Sequence, residues 1–394
     1  MSEWKEYKLG DIAEITSSKR IFYSEYVENG VPFYRSKEII DLFNRRDIQT
    51  ELYITEKRFK EIEEKFGVPM ADDILLTSVG SLGIPYKVKP KDKFYFKDGN
   101  LTWFRNLDKS KVIPDFLFTW ISSNVGKQKL DEVSIGSTQA ALTISGLKTI
   151  EILLPDLKTQ TAIASILSSL DDKIDLLHRQ NATLEKMAET LFRQWFVEEA
   201  NEEWEEIELG SVVETTSGGT PSRTNMGFYE NGTISWVKSK ELNGSFILDT
   251  EEKITEEALK KSSAKILPAH SVLIAMYGAT VGEYAIISKE MTCNQAICAL
   301  KPNKDYPYSY LFLFIKSNKE ELINMAVGSA QQNISQLLIK QLPVLNCTGL
   351  IKEFNLVVEP YFEKIKSNQI QIRTLTALRD TLLPKLMSGE VTTN

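Results

Sequence analysis

The sequence predicts an α+β protein in which two homologous mixed α/β domains are separated by two long antiparallel coiled-coil helices. Three observations predict this fold class. Motifs of the first half return in the second, each half ends in about forty residues that almost lack glycine and follow a heptad pattern, and short apolar runs alternate with amphipathic segments before those ends. Together they indicate a pseudo-twofold internal repeat.

The repeat is carried by matched segments at an offset of about 200 residues. Trp4–Glu14 returns as Trp204–Glu214, and Arg35–Glu38 returns as Lys238–Glu241. Solenoid proteins repeat every 20–50 residues or so, and this period is much longer. It therefore indicates two domains in tandem.

The repeat divides the chain into four parts. The first globular domain covers 1–157, the first long helix 158–200, the second globular domain 201–348 and the second long helix 349–394. Short strands are predicted at 73–79, 84–88 and 101–105 and, in the repeat, at 271–277, 284–288 and 296–300. Short helices are predicted at 55–65 and 114–123, and at 255–263 and 307–317.

The long segments carry apolar residues at alternating steps of four and three, which is typical of a coiled-coil seam. The first seam consists of Ile163, Leu167, Leu170, Ile174, Leu177, Asn181, Leu184, Ala188, Leu191 and Trp195. The second, less regular seam consists of Phe354, Val358, Tyr361, Ile365, Asn368, Ile372, Leu375, Arg379, Leu382 and Leu386.

One asparagine interrupts each seam. In an antiparallel pair with full overlap, Trp195 faces Phe354. Asn181 lies fourteen residues before Trp195, and Asn368 lies fourteen residues after Phe354, so the two amides are expected to meet and to fix the helix register. The alternative is two unrelated polar interruptions, since asparagine is common in such seams.

The composition excludes several kinds of chemistry. The chain of 394 residues has two histidines and three cysteines, which excludes a disulfide scaffold and a Cys/His zinc cluster. It contains neither a complete P-loop, nor the Pro-Pro of an amino-methyltransferase site, nor a GxSxG elbow. We therefore expect no catalytic residues, no metal site and no cofactor in this chain.

The start of the chain lacks the apolar stretch of a signal peptide, and no apolar run approaches the roughly 18 residues of a membrane span. We therefore expect a cytoplasmic protein with reduced, buried cysteines.

Two similar domains held by a rigid helical pair suit a ligand with two sites at a fixed spacing, and DNA is such a ligand. Small hydroxyl groups beside basic side chains suit phosphate contacts, and side-chain amides suit adenine edges. The candidate DNA contacts at matching places are Ser17, Lys19, Arg20, Arg35, Lys37, Ser78, Thr138 and Gln139 in the first domain, and Thr220, Ser222, Arg223, Lys238, Lys240, Tyr277, Gln331, Gln332 and Asn333 in the second. Each alone is also compatible with a solvated loop, and the repetition is what favours binding.

Two glycine pairs follow matched strands, Gly80 with Gly83 and Gly278 with Gly282. They are typical of tight turns that need positive φ, and the alternative is close approach of the backbone to a ligand.

The charge balance opposes DNA binding by this chain alone. The net charge is −7, and the first domain has 23 basic and 24 acidic residues while the second has 13 and 18. A DNA-binding domain is usually basic over its footprint. We therefore expect the basic residues to concentrate on one face and partner subunits to supply some phosphate contacts.

The order of several motifs, present in both halves, resembles the specificity (S) subunit of a type I restriction-modification enzyme over essentially the whole chain. The motifs are Leu9-Gly-Asp-Ile12 after Trp4, Ser217-Gly-Gly-Thr-Pro-Ser222, Met276-Tyr-Gly-Ala-Thr-Val-Gly282, Asn294-Gln-Ala296, Leu154-Pro155 leading to Gln160 and Asp171, and the ending from Leu382 to Gly389. The second half departs where Asn346-Cys347 replaces the Leu-Pro of the first.

This resemblance implies two target recognition domains, each recognising half of a bipartite double-stranded DNA sequence. It implies that the long helices set the spacer and dock two methyltransferase (M) subunits, and that two restriction (R) subunits join in some complexes. S-adenosylmethionine, ATP and magnesium would then be bound by those partners.

Two other classes remain open at this point. A coiled-coil adaptor would bind proteins through its two globular domains and would expose aromatic grooves. A nuclease would cleave DNA as an isolated, metal-dependent chain.

Overall fold

The computed structural model describes residues 4–44, 46, 48, 50–136, 140–201, 203–325 and 333–391. The chain forms two compact units. Unit 1 comprises Met1–Asp175 with Thr374–Asn394, and unit 2 comprises Leu176–Arg373. Each unit thus contains one globular domain and parts of both long helices.

The first domain is built around a four-stranded antiparallel sheet with the order Glu14–Thr16, Leu101–Arg105, Ile74–Thr77 and Pro85–Lys87. The strand Ile74–Thr77 is buried along its whole length because helices cover both of its faces. Ile74 and Leu76 pack with Phe116, and Leu75 points to the opposite side and packs with Ile39.

A second sheet in this domain has the order Tyr26–Val27, Tyr53–Ile54, Val31–Tyr34 and Tyr95–Phe96. Strand Lys5–Lys8 pairs antiparallel with Glu151–Leu154 and so joins the two ends of the domain. The helices are Leu9–Ile12, Ser36–Phe43, Glu56–Phe66, Pro114–Ser122, Asn124–Glu132 and Ile144–Thr149, with a 3-10 turn at Tyr23–Glu25.

The second domain repeats this plan. Its main sheet has the order Glu214–Ser217, Ile297–Lys301, Val272–Ala275, Tyr284–Ile287 and Phe246–Ile247, which is the order of the first domain with one strand added. A smaller sheet has the order Lys253–Ile254, Ile234–Val237 and Thr292–Cys293, and Glu206–Glu208 pairs with Pro343–Leu345. The helices are Leu209–Val212, Glu256–Lys260, Tyr308–Ser317, Lys319–Asn324 and Gln336–Lys340, with 3-10 turns at Met226–Phe228, Ser239–Glu241 and Gly278–Thr280.

The predicted strands and short helices of both domains are therefore present, and several of them are shorter than predicted. The strands predicted at 73–79 and 271–277 are Ile74–Thr77 and Val272–Ala275, and the helix predicted at 255–263 ends at Lys260. Ser262 ends the helical pattern because its hydroxyl accepts the backbone N–H of Ala264 at 3.2 Å.

The two long helices are Leu157–Arg193, followed by a π-helical turn Gln194–Glu198, and Thr348–Met387. The first begins behind Asp156, whose carboxylate accepts the backbone N–H of Thr159 at 2.9 Å. Every residue of both predicted seams is buried or half-buried. Within unit 2 the rings of Trp195 and Phe354 lie 5.7 Å apart, and within unit 1 Leu386 packs in one cluster with Ile163 and Leu167. None of the described helices is both long enough and apolar enough to span a bilayer.

Candidate nucleic-acid interface

The same basic turn occurs in both units. In unit 1 the backbone N–H of Arg35 donates to Glu38 Oε2 at 2.7 Å, and the guanidinium of Arg35 donates to Oε1 at 2.8 Å. In unit 2 the backbone N–H of Lys238 donates to Glu241 Oε2, also at 2.7 Å. The glutamate closes each turn by accepting a backbone donor that would otherwise be unpaired. Each turn also carries one exposed lysine, Lys37 or Lys240.

Arg223 in unit 2 is held from two sides. Its guanidinium carbon lies 4.3 Å from the ring centre of Tyr229 and 5.1 Å from that of Trp236. Its Nη1 lies 2.7 Å from Glu252 Oε2. The aromatic rings and the carboxylate fix the planar group, which remains 53% exposed and accessible to a ligand.

Two adjacent glutamates bind the predicted basic residues of unit 2. Glu252 pairs with Arg223 and, at 2.9 Å, with Lys238, and Glu251 lies 3.0 Å from Lys238 and 2.8 Å from Lys240. Hydrogen bonds from Lys240 and Lys238 hold the pKa of Glu251 below its usual value. Hydrogen bonds from Arg223 and Lys238 do the same for the pKa of Glu252. Sequence reasoning missed this pair. Its one signal was the position two to three residues before Ile254-Thr-Glu256, which repeats Ile54-Thr-Glu56 of the first half.

Two glycines let the loop before Arg223 pack closely against neighbouring backbone. A Cβ on Gly218 would lie 2.2 Å from the carbonyl oxygen of Cys293, and one on Gly219 would lie 2.4 Å from the backbone N of Ala264. The loop is further held because the Trp236 indole N–H donates to the Gly219 carbonyl at 2.9 Å. The loop hydroxyls bond locally, Thr220 to Gln295 and Ser222 to Thr224.

The corresponding loop of unit 1 is held by different contacts. The hydroxyl of Ser17 donates to the Leu101 carbonyl at 3.2 Å, and Arg20 pairs with Asp98 at 2.9 Å. The Nζ of Lys19 lies 4.8 Å from the ring centre of Phe66. Lys19 and Arg20 are exposed, so their charges are available to a ligand.

Tyr277 and Asn333 form an isolated antiparallel bridge in unit 2. The side chain of Tyr277 is 43% exposed, and Asn333 is exposed. The structure therefore brings these two predicted contacts together. Thr138, Gln139, Gln331 and Gln332 lie outside the described residues.

The prediction for Ser78 is wrong. Its side chain is 3% exposed, and its hydroxyl lies 2.6 Å from the hydroxyl of Thr102 and 3.2 Å from the carbonyl of Leu76. Ser78 lies at the end of the central strand that the sequence predicts at 73–79, and the sheet covers it. Ser78 therefore satisfies a polar contact inside the domain and is not a DNA contact.

Both glycine pairs after the central strands form tight turns. The φ angles are +80° and +73° at Gly80 and Gly83, and +71° and +80° at Gly278 and Gly282. These values lie in the left-handed region that other residues rarely adopt, which explains why glycine occupies all four positions.

Asn181 and Asn368 lie together in unit 2. The Nδ2 of Asn368 donates to Oδ1 of Asn181 at 2.8 Å, and both side chains are buried.

Among the described residues no cluster of histidine, cysteine, aspartate or glutamate could hold a metal ion.

Comparisons with known proteins agree with this architecture. The family model described as type I restriction modification DNA specificity domain matches residues 1–186 and 201–345. The MjaIX specificity subunit of Methanocaldococcus jannaschii is 28% identical, covering 99% of this chain and 94% of that protein. The HindI specificity subunit of Haemophilus influenzae is 25% identical, covering 99% of this chain and all of that protein.

A solved structure shows the same fold. The type I restriction-modification S subunit from M. genitalium superposes with a TM-score of 0.68 over 98% of this chain and 96% of that chain, at 17% sequence identity. Because the family model matches most of the chain, in both halves, the chain belongs to the type I restriction-modification DNA specificity family and is a non-catalytic specificity subunit.

Proposed function

We propose that this chain recognises a bipartite double-stranded DNA target with a fixed gap, and that each globular domain contacts one half of it. The observation that carries the proposal is the basic turn that recurs with the same 2.7 Å backbone closure at Arg35 and at Lys238. A duplicated cationic turn suits a ligand that presents the same phosphate geometry twice.

The DNA contacts on this proposal are the basic residues at the matched places and the loop groups beside them. They are Ser17, Lys19, Arg20, Arg35 and Lys37 in unit 1, and Thr220, Ser222, Arg223, Lys238, Lys240, Tyr277 and Asn333 in unit 2, with Thr138, Gln139, Gln331 and Gln332 retained as sequence-based candidates. Lys238 is the least accessible of the cations, with 14% of its side chain exposed, so its role is to hold the turn and to add charge.

The two long helices are proposed to form an antiparallel coiled-coil pair that sets the gap. Three contacts support this pairing: Trp195 with Phe354 and Asn181 with Asn368 in unit 2, and Arg379 with Asp171 at 2.9 Å in unit 1. On this view the Asn pair fixes the register, because a shifted register would leave buried amides unpaired.

The partners on this proposal are two M subunits and, where present, two R subunits, and the complex acts on DNA in the cytoplasm. S-adenosylmethionine, ATP and magnesium would be bound by those subunits. The exposed groups at the matched loops are mainly cations and hydroxyls, which favours DNA over the protein ligands of an adaptor.

The test is to co-express this chain with an M subunit from the same operon and to map N6-methyladenine in the host DNA by single-molecule sequencing. The expected result is a new two-part motif with a constant gap that disappears when this chain is omitted. A stable complex that produces no chain-dependent motif would contradict the proposal.

A further inference from the structure

We propose that Glu251 and Glu252 occupy the phosphate-binding side of the cation cluster in unit 2 and compete with DNA, so that non-specific DNA is disfavoured relative to the target. This inference rests on the proposed DNA-binding function and assigns a specificity role to two residues that do not themselves bind DNA.

The geometry makes each carboxylate a bridge between two cations. Glu252 lies 2.7 Å from Arg223 and 2.9 Å from Lys238, and Glu251 lies 3.0 Å from Lys238 and 2.8 Å from Lys240. Three positive groups therefore face two negative ones, and the local net charge is small. A phosphate oxygen uses the same N–H donors as a carboxylate oxygen, so the two compete for the same groups.

The competition is open to solvent, which makes it reversible. Glu251 is 59% exposed, and Arg223 and Lys240 are 53% and 61% exposed. The exposed pairs of Arg223 with Glu252 and of Lys240 with Glu251 stabilise little, so a well-placed phosphate is able to displace them. Lys238, which is 14% exposed, stays as the fixed cation between the two carboxylates. A loosely placed phosphate gains too little interaction energy to displace the carboxylates. Binding to non-specific DNA is therefore weakened more than binding to the target.

The first domain offers an internal comparison. Aligning Ile54 with Ile254 puts Glu51 at the position of Glu251 and Leu52 at the position of Glu252. The first domain thus lacks the second carboxylate, and Arg35 is paired with the buried Glu38 instead. The extra carboxylate in the second domain agrees with the net charges of the two domains, since only the second is strongly acidic.

The removal of both carboxylates should free the cations for any phosphate. The slope of log affinity against log salt steepens by about 0.9 for each additional phosphate contact. For Glu251→Gln/Glu252→Gln we expect the slope on a scrambled duplex to steepen by about one to three, with at least about a tenfold gain in affinity at low salt. Affinity for the target should rise less, so the ratio of target to scrambled affinity should fall.

The experiment uses the full chain in complex with its M subunits and fluorescence anisotropy over a salt series. The duplexes are the methylated-motif target, identified as above, and a scrambled sequence of equal length. The control variant is Glu256→Gln/Glu257→Gln, which removes the same charge from two exposed glutamates on the next helix. Thermal unfolding of each complex checks that the variants fold.

A steeper slope and a lower target-to-scrambled ratio in the Glu251/Glu252 variant, with little change in the control, supports the inference. Equal changes in both variants would show a general effect of charge and would overturn it. If the native complex discriminates between the duplexes and the Glu251/Glu252 variant does so equally well, the inference fails while the proposed function stands. A native complex without discrimination would overturn both.

Discussion

Asn368 donates a hydrogen bond from Nδ2 to Oδ1 of Asn181 at 2.8 Å, and both amides are buried between the long helices of unit 2. A buried polar pair at one position of an apolar seam stabilises one register relative to all others, because any shift exposes each amide to apolar neighbours. The contact therefore links the sequence of the two helices to the spacing that they are proposed to set.

Replacement of one member of this pair should cost more than replacement of both. Asn181→Leu removes the 2.8 Å partner of the buried Asn368 amide and leaves it only the 3.5 Å contact with Gln180. We expect a loss of about 1–3 kcal/mol in the free energy of unfolding, measured by urea titration. Asn181→Leu/Asn368→Leu should recover most of that loss. Gln371→Leu, at an exposed position of the helix that carries Asn368, is the control and should change little. Additive losses in the double variant would argue against a direct pair.

The two loop glycines of unit 2 should not tolerate a methyl group. In Gly218→Ala and Gly219→Ala the new Cβ would lie within 2.2–2.4 Å of backbone atoms, so the loop must shift at a cost of about 1–3 kcal/mol. The midpoint of thermal unfolding of the full chain should fall. Gly349→Ala is the matched control, because no atom lies within 4 Å of its Cβ position and its helix favours alanine. An unchanged midpoint in both loop variants would contradict the packing described above.

The correction for Ser78 has a direct consequence. Ser78→Ala should lower the stability of the full chain by about 1 kcal/mol, since it removes the hydroxyl pair with Thr102. DNA affinity and its salt slope should stay at the native values. The double variant Ser78→Ala/Thr102→Ala should lose less than the sum of the single variants, as expected for two groups that bond to each other. A weaker dependence of DNA affinity on salt in Ser78→Ala would show that Ser78 contacts DNA.

Asp249 makes stability depend on pH at the acidic end. Partial burial alone would raise the pKa of Asp249. That effect is outweighed by a hydrogen bond from the backbone N–H of Thr250, a hydrogen bond from the Arg373 side chain and the charges of Lys289 and Lys253, so the pKa falls from 3.8 to about 2. Because the folded pKa is below the unfolded one, the stabilisation is complete above about pH 4 and is lost as the pH falls toward 2. Asp249→Asn should therefore unfold more easily than the native chain at pH 7, and the difference should shrink steadily as the pH falls from 4 through 2. A difference that stays constant over this range would assign the effect to packing.

A change in helix length should change the gap of the target. Seven residues inserted into both long helices add about 10 Å at 1.5 Å per residue, which corresponds to about three base pairs. We expect the methylated motif to keep both halves and to gain a longer gap. Replacement of residues 1–157 by the matching domain of another family member should instead change one half and leave the gap alone. A constant gap after the insertion would show that the helices do not set it.

The duplication, the central strands and the two seams are predictable from the sequence, and so is a register that places Asn181 opposite Asn368. These features are periodic or repeated, and a periodic pattern can be recognised in the sequence without knowing which distant residues are in contact. It also indicated which loops carry the matched cations, since Arg35 and Lys238 stand at the same place in the repeat.

The accessibility of those groups and the identity of their contacts depend on the folded chain. Ser78 is buried because a neighbouring strand brings Thr102 to its hydroxyl across 24 residues of sequence. Glu252 reaches Arg223, about 29 residues away, and both Glu251 and Glu252 reach Lys238. These contacts form because the strand Ile234–Val237 pairs antiparallel with Lys253–Ile254. Such contacts depend on long-range chain reversal, and no local pattern encodes which carboxylate will meet which cation.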